Sequence, residues 1–337
     1  MVFKGSQMKL KVVLTVFAVG LLAAMIPENR SARVDAAQKV APREIAITFD
    51  DLIESQSGRH DLKTIAAINR KLVQAITDSH VPAIGFVNEG KLHENNGKEI
   101  AARTAILKLW TDAGIELGNH TYSHHDLFTT PLELFQADLI RGEAVTSRLL
   151  DASGMKLRYF RHPFLHTGPD AETKTAFEKF LVGRNYTIAP VSVDNQDWMF
   201  AVVYTTALAD NDRALMKRVA EAYLPYMNAM LEHYEKLSVT LLGYEVRQTL
   251  LIHDNPLNAD HFGELVEVMK KRGYKFISLE EALQDKAYSL PDNYTGRSGI
   301  SWLERWAMTQ KHQAAIDSFK LEPEVPDFIK QKMSRSL

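Results

Sequence analysis

Short apolar runs alternate with longer amphipathic ones from residue 44 to about residue 285. In residues 45–49 (IAITF), Ile45, Ile47 and Phe49 interleave with Ala46 and Thr48, a period-2 pattern that predicts a strand. Similar runs recur at 83–87, 115–119, 158–164, 187–193, 249–253 and 275–279. Between them the period changes. Over 63–79, Ile65, Ile68, Leu72, Ala75 and Ile76 form one apolar stripe, as on a helix packed by one face. The stretch 99–114 reads as a helix closed by Gly114, and 259–273 as one closed by Gly273. The spacing over 131–154 predicts a single helix opened by Pro131 behind Thr129 and Thr130. Seven strand–helix units in series predict an α/β fold with mainly parallel strands. An irregular (β/α) barrel is expected rather than an open doubly wound sheet, because no glycine-rich phosphate loop follows any strand.

Three regions stand outside this alternation. Residues 199–247 are long for a connection and read as a helical insertion, one long helix or a pair broken at Pro225, able to form a lid or wall beside a site. Residues 291–337 form a C-terminal extension, expected to pack first and then fray. At the N-terminus, Lys4, Lys9 and Lys11 precede a 12–26 apolar run, with small residues near Ala36 and Ala37. That order predicts a signal peptide over 1–36, with the mature protein secreted or periplasmic. The apolar run is too short to span a bilayer comfortably, so no stable membrane span is expected after cleavage. The organisation expected is thus 1–36 signal peptide, 37–290 catalytic domain and 291–337 extension.

Composition narrows the chemistry. The 337 residues are 45% hydrophobic with a formal net charge of −2, which supplies a substantial core and no basic footprint for nucleic acid. There is no Cys, so disulfides and thiolate metal sites are excluded. Any metal must be held by nitrogen and oxygen donors.

Polar residues recur where the apolar strands end. Asp50 and Asp51 close the first; a turn or a two-carboxylate site would each explain them. His120 and His124, four apart, follow the third. Two His and one carboxylate suit Zn²⁺ with positions left open, and Asp51 is the carboxylate candidate. His125 points elsewhere, as a bystander or outer group. Arg161 lies in the fourth run, Asp194 and Asp197 follow the fifth, and His253 ends the sixth. In a parallel barrel catalytic groups gather at that end of the strands.

Five segments in this order resemble the motifs of the polysaccharide deacetylases, which include chitin and peptidoglycan deacetylases. They are TFDD (48–51), HTYSH (120–124), RHPF (161–164), DNQDW (194–198) and LLIH (250–253). The resemblance implies a metal-dependent hydrolase that removes N-acetyl groups from an N-acetylated polysaccharide or oligosaccharide. It implies Asp51, His120 and His124 as metal ligands, with Zn²⁺ first and Co²⁺ or Ni²⁺ suited to the same set. It implies Asp50 as base, Arg161 as its holder, His253 as general acid and Asp194 as the residue that orients His253. A backbone N–H near Phe164 would stabilise the oxyanion, and Phe164, Trp198 and Leu251 would line the acetyl pocket; ordinary core packing would explain those three equally well. The sequence departs from the family at Leu52 and Leu165, where Gly is usual, and at His162, where Pro is frequent. These departures bear on the substrate more than on the reaction. Hydrolysis of another C–N bond, or glycan binding without catalysis, are the alternatives. Asn255, His166 and Tyr122 lie beside the motifs without an assigned role.

Overall fold

The computed structural model describes residues 43–55 and 59–334. The expected signal peptide lies outside them. The described chain forms one compact unit, and among its residues no helix is long and apolar enough to cross a membrane.

Seven strands, β1 (Arg43–Leu52), β2 (Ala83–Val87), β3 (Glu116–Asn119), β4 (Tyr159–Phe160), β5 (Thr187–Ile188), β6 (Gln248–His253) and β7 (Tyr274–Phe276), make one sheet. All their pairings are parallel, in the order β5-β4-β3-β2-β1-β6, with β7 beside the start of β1. The path curls back on itself. Just past β5, Val193 bridges Leu250 of β6 in parallel, and the Ser192 and Leu251 N–H groups donate across that seam at 3.1 and 3.2 Å. An irregular (β/α) barrel results, as expected from the alternating pattern. Pro190 interrupts the run expected over 187–193, since it brings no N–H to a ladder. The strand expected over 158–164 stops at Phe160, because Arg161 onward leaves the ladder for a short 3-10 turn at Pro163–Leu165.

β1 is the central strand, and Ile45, Ala46, Ile47, Thr48 and Phe49 are buried, as in a parallel strand covered on both faces. Outside it, α1 (Leu62–Asp78) is capped by Asp61 and turns Ile65, Ile68, Leu72 and Ile76 inward. Helix α2 (Ala101–Asp112) packs on α1.

The single helix expected over 131–154 is two, α3 (Leu132–Arg141) and α4 (Ala144–Ala152). The break falls at Gly142, where a Cβ would sit 2.9 Å from the Thr121 carbonyl carbon. Backbone meets backbone there, so only glycine fits. Helix α5 (Ala171–Gly183) follows β4.

The 199–247 region lies within two helices and the loop to β6. These are α6 (Asp197–Ala209) and α7 (Arg213–Leu242), the second running unbroken through Pro225. Pro225 does not end α7, because Tyr223, Tyr226, Met227 and Met230 around it are locked in the core. Both helices pack on α8 (Pro256–Lys271). They form part of the barrel's outer layer.

After α9 (Leu279–Ala282), the C-terminal extension stays packed through α10 (Trp302–Thr309), α11 (Gln313–Ser318) and α12 (Asp327–Met333). Trp302, Trp306 and Ile329 are buried, so the extension is packed through α12.

Candidate active site

The strand ends gather the polar residues at one end of the barrel. β1 delivers Asp50 and Asp51, and the chain leaves the strand with Asp51 in the left-handed region at φ 68°. Lys91, in the 3-10 turn after β2, donates to the Asp51 and Glu54 carbonyls and holds that exit. Thr121 (φ 65°) and His124 (φ 55°) shape the loop after β3 in the same unfavourable region. Such residues cost about 1–3 kcal/mol each and persist where surrounding contacts over-determine them. Here the contacts are specific. Asn119 Oδ1 accepts from Thr121 N at 2.7 Å, Thr121 Oγ1 from His124 N at 3.0 Å, and Asn88 Nδ2 donates to the His120 carbonyl at 2.6 Å.

Asp51, His120 and His124 each offer a ligand atom, and the three atoms lie within 4.8 Å of one another. The two Nε2 atoms face Asp51 Oδ1 at 3.7 and 3.5 Å. His120 Nδ1 lies 2.8 Å from the Arg161 carbonyl, a bond that requires Nδ1–H and leaves Nε2 as a free lone pair. Burial pushes both imidazoles down to about 4, against the pull of Asp51, so they are neutral at ordinary pH. Asp51 is ionised: burial raises its pKa, but the charges of Lys91 and then His253 act against that, and it is held below the usual carboxylate range. Two neutral imidazoles and one carboxylate fit a divalent cation.

Asp50 stands beside this triad, 2% exposed, with Oδ2 3.8 Å from His120 Nε2 and 3.5 Å from Arg161 Nη1. Burial pushes the Asp50 carboxyl up and the Arg161 guanidinium down, each opposed by the other's charge. Arg161 is fully buried, donates from Nη2 to Thr48 Oγ1 at 2.9 Å and lies 4.7 Å from the centre of the Phe86 ring. Among the described residues Asp50 Oδ1 has no hydrogen-bond partner, an orphaned buried acceptor beside the triad.

His253 is the Cα partner of Asp50 across the β1–β6 ladder. Its holder is Asp197, not Asp194. Asp197 Oδ1 lies 2.7 Å from His253 Nδ1, and Oδ2 accepts the His253 N–H at 2.9 Å. Asp197 occupies the first turn of α6 and is fully buried, also accepting from Asn258 Nδ2 at 2.9 Å. Burial lowers the His253 pKa, but the charge and hydrogen bond of Asp197 prevail and raise it to about 9. Asp194, three residues earlier, bonds its neighbour's N–H at 2.8 Å. Burial raises it to about 8, helped by Glu304 and Glu322. The sequence holds both acids in one segment; the helix start decides which one reaches His253.

Leu251 is buried on β6, two residues before His253 and on the same side of the strand. Phe164 and Trp198 are half exposed. The Phe164 ring meets His124 edge-on at 4.5 Å between centres. Beside it opens a groove of about 660 Å³, lined by His124, His125, Asp126, Leu134, Arg141 and Phe164. His125 thus faces the groove. His166 is held by Asp126 at 2.8 Å, Asn255 caps α8 through the Asn258 N–H, and Tyr122 lies under the Arg141 guanidinium. Lys91, Asn88, Asn258 and the role of Asp197 had no signal in the sequence pattern beyond lying near a strand end.

Residues 37–179 match the model of the polysaccharide deacetylase family. A peptidoglycan-N-acetylglucosamine deacetylase from Bacillus cereus is 30% identical over 155 residues, 46% of this chain and 46% of the relative. The chain therefore matches less than half the length of that relative. Among solved structures, a peptidoglycan deacetylase from Bacillus subtilis is similar at 18% identity and a TM-score of 0.43, over 72% of this chain and 91% of that one. A family 4 carbohydrate esterase pseudoenzyme from Bacillus anthracis is similar at 17% identity and a TM-score of 0.45, over 72% and 66%.

Proposed function

We propose that the chain, whose residues 37–179 match the polysaccharide deacetylase model, is an exported, metal-dependent hydrolase of that family that removes N-acetyl groups from a glycan. The N-acetylglucosamine of peptidoglycan is the first substrate to test, since the matched Bacillus cereus relative carries that name. The observation that carries the reading is the juxtaposition of Asp51, His120 and His124 with Asp50 on one side and the His253–Asp197 pair across the β1–β6 ladder. The apolar run over 12–26 supports export.

Asp51, His120 and His124 would hold the cation, with Zn²⁺ favoured by the donor types. A bound Zn²⁺ supplies a Lewis acid that polarises the acetamide carbonyl and acidifies water. Asp50 accepts the proton of the attacking water at its unpartnered Oδ1. Arg161 faces the other oxygen of Asp50 and favours its ionised form against burial, as a cation held by Asp51, His120 and His124 also would. His253, protonated below about pH 9, gives its Nε2 proton to the departing amine. Asp197 keeps the His253 ring turned so that Nδ1 is occupied and Nε2 is free for that transfer. The half-exposed Phe164 and Trp198 rings would flank the sugar, and Leu251 the acetyl methyl.

The test is acetate release from peptidoglycan, chitin oligomers and poly-N-acetylglucosamine, with and without a chelator and with Zn²⁺ restored. Chelator-sensitive release from one polymer supports the reading and names the substrate. Absence of release from all three, with Zn²⁺ bound, would overturn it.

A further inference from the structure

The turn beside the metal site is strained and externally held. Phe164 (φ 57°) and Leu165 (φ 55°) are consecutive left-handed residues, and neither is glycine. Two such residues in succession do not hold themselves in place. The groups that hold them come from the far end of the chain.

Arg305, on α10, is fully buried. Its Nη2 donates to the Leu165 carbonyl. Nη1 donates to Thr167 Oγ1 at 3.3 Å and pairs with Asp292 at 3.5 Å, and Nε donates to the Ile300 carbonyl at 3.0 Å. The guanidinium lies 4.2 Å from the Trp302 ring centre and 5.2 Å from that of Tyr294. Two further contacts reach the same turn. Thr167 Oγ1 donates to the Tyr294 carbonyl at 3.2 Å. Gly299 presses so close that a Cβ there would sit 2.1 Å from the Phe164 carbonyl oxygen.

We propose that Arg305 is a positioning residue for the metal site: it fixes the Phe164–Leu165 turn, and the turn fixes His124 through the Phe164 ring. The extension over 292–305 is then a working part of the site. A buried guanidinium is a costly way to gain stability alone, because an apolar side chain of similar volume commonly does as well. Its planar fork suits the task of holding a carbonyl and a hydroxyl of one turn in fixed register. The inference rests on the deacetylase reading for its kinetic consequence only.

The experiment uses the full chain with Arg305→Met, Arg305→Lys and Gly299→Ala. Amide exchange is followed in the metal-free protein, and Zn²⁺ binding by calorimetry. In Arg305→Met the 162–168 amides should exchange about tenfold faster while the β1 and β6 amides stay protected. Zn²⁺ should bind about tenfold more weakly, the size typical of losing an outer support of a ligand. Arg305→Lys, which keeps charge without the fork, should fall between. Gly299→Ala should loosen the same amides while leaving Arg305 in place, which tests the link from the turn to the metal site, and Arg305→Lys decides the role of Arg305 if Arg305→Met does not fold. Wild-type exchange over 162–168 with unchanged Zn²⁺ affinity, in a folded variant, would overturn the proposal. So would exchange that rises equally across the whole barrel, the mark of a residue that only stabilises. If the wild type releases no acetate, the deacetylase reading fails while the exchange and Zn²⁺ measurements still decide this one. If it does, kcat in Arg305→Met should drop severalfold with little change in KM.

Discussion

The two halves of the candidate site are built differently. The candidate metal half comes from two strand ends, β1 and β3, and its candidate ligands Asp51, His120 and His124 lie within residues 51–124. The proton-transfer half joins β6 to the start of α6, and His253 meets an acid 56 positions earlier in the chain. The first half is positioned by its own loops: Asn119, Thr121 and Asn88 tie the His120–His124 turn locally. The second is positioned by α6 and α7, from the long region between β5 and β6, together with α8, which follows β6. Asn258 of α8 bonds Asp197, and Tyr223 of α7 donates to Asn258 at 2.8 Å. The insertion therefore stands behind the acid as a support. A metal centre can be specified by spacing along one segment, whereas a tuned acid depends on what the rest of the fold brings to it.

The sharpest way to break this comparison is to remove one group from each half. His120→Ala should abolish stoichiometric Zn²⁺ binding and lower kcat/KM by roughly a thousandfold or more, several kcal/mol of transition-state stabilisation. Asp50→Asn should cost about 10²–10⁴ in kcat, the range of a lost general base, while Zn²⁺ still binds with wild-type stoichiometry. Calorimetry beside steady-state acetate release separates the two. Equal loss of metal in both variants would place Asp50 among the ligands and undo its role as a base.

The next step sets the two acids of the DNQDW segment against each other. Asp197→Asn should lower kcat about 10–100-fold, as expected for the partner that orients a working His. It should also move the alkaline limb of the pH profile. His253 works as an acid only when protonated, so wild-type activity should fall as pH rises through about 9. Without the Asp197 charge and hydrogen bond, the lowering effect of burial is opposed only by the charges of Asp51 and Asp50, and the limb should move below pH 9. Stability follows the same sign: the His253–Asp197 interaction is fully present below the ordinary His value of about 6.5 and is lost as pH rises through about 9. Asp194→Asn should leave the alkaline limb where it is. A limb that moves in Asp194→Asn and stays in Asp197→Asn would reverse the assignment.

How much of this was legible follows the same division. The barrel class and most strand positions could be read, because period-2 apolar runs are local signals, and the four-residue His spacing marked the pair of imidazoles that the fold brings beside Asp51. The partner of His253 could not. Asp194 and Asp197 are equivalent in composition, and only the start of α6 at Asp197 turns that carboxylate toward β6. The split between α3 and α4 was hidden because Gly142 reads as a tolerated helix residue until the Thr121–Tyr122 backbone is seen against it. Pro225 misled in the opposite direction. Its helix-breaking tendency is local, and the buried Tyr223, Tyr226 and Met227 on α7 override it through packing no spacing rule contains. The extension was read as a tail because Arg305 finds Leu165 and Thr167 across 140 and 138 positions of chain.

The smallest expected effect tests whether the insertion supports the acid. Tyr223 is fully buried on α7, and its hydroxyl serves Asn258 Oδ1, whose amide group in turn donates to Asp197 Oδ2 at 2.9 Å and to the His253 carbonyl at 2.8 Å. Tyr223→Phe keeps the ring and removes only the donor. It leaves Asn258 Oδ1 short of a partner, at a cost of about 1–3 kcal/mol in stability. Asn258 still has Asp197 and the His253 carbonyl to hold it, so kcat should fall less than tenfold and Zn²⁺ affinity should not move. The informative quantity is the pH profile. A support that acts through Asp197 lets His253 titrate slightly earlier, so the alkaline limb should shift down by a fraction of a unit in step with kcat. A loss of stability with kcat and limb both unchanged would mean that α7 merely fills space behind the site, and the two halves would then differ in sequence distance alone.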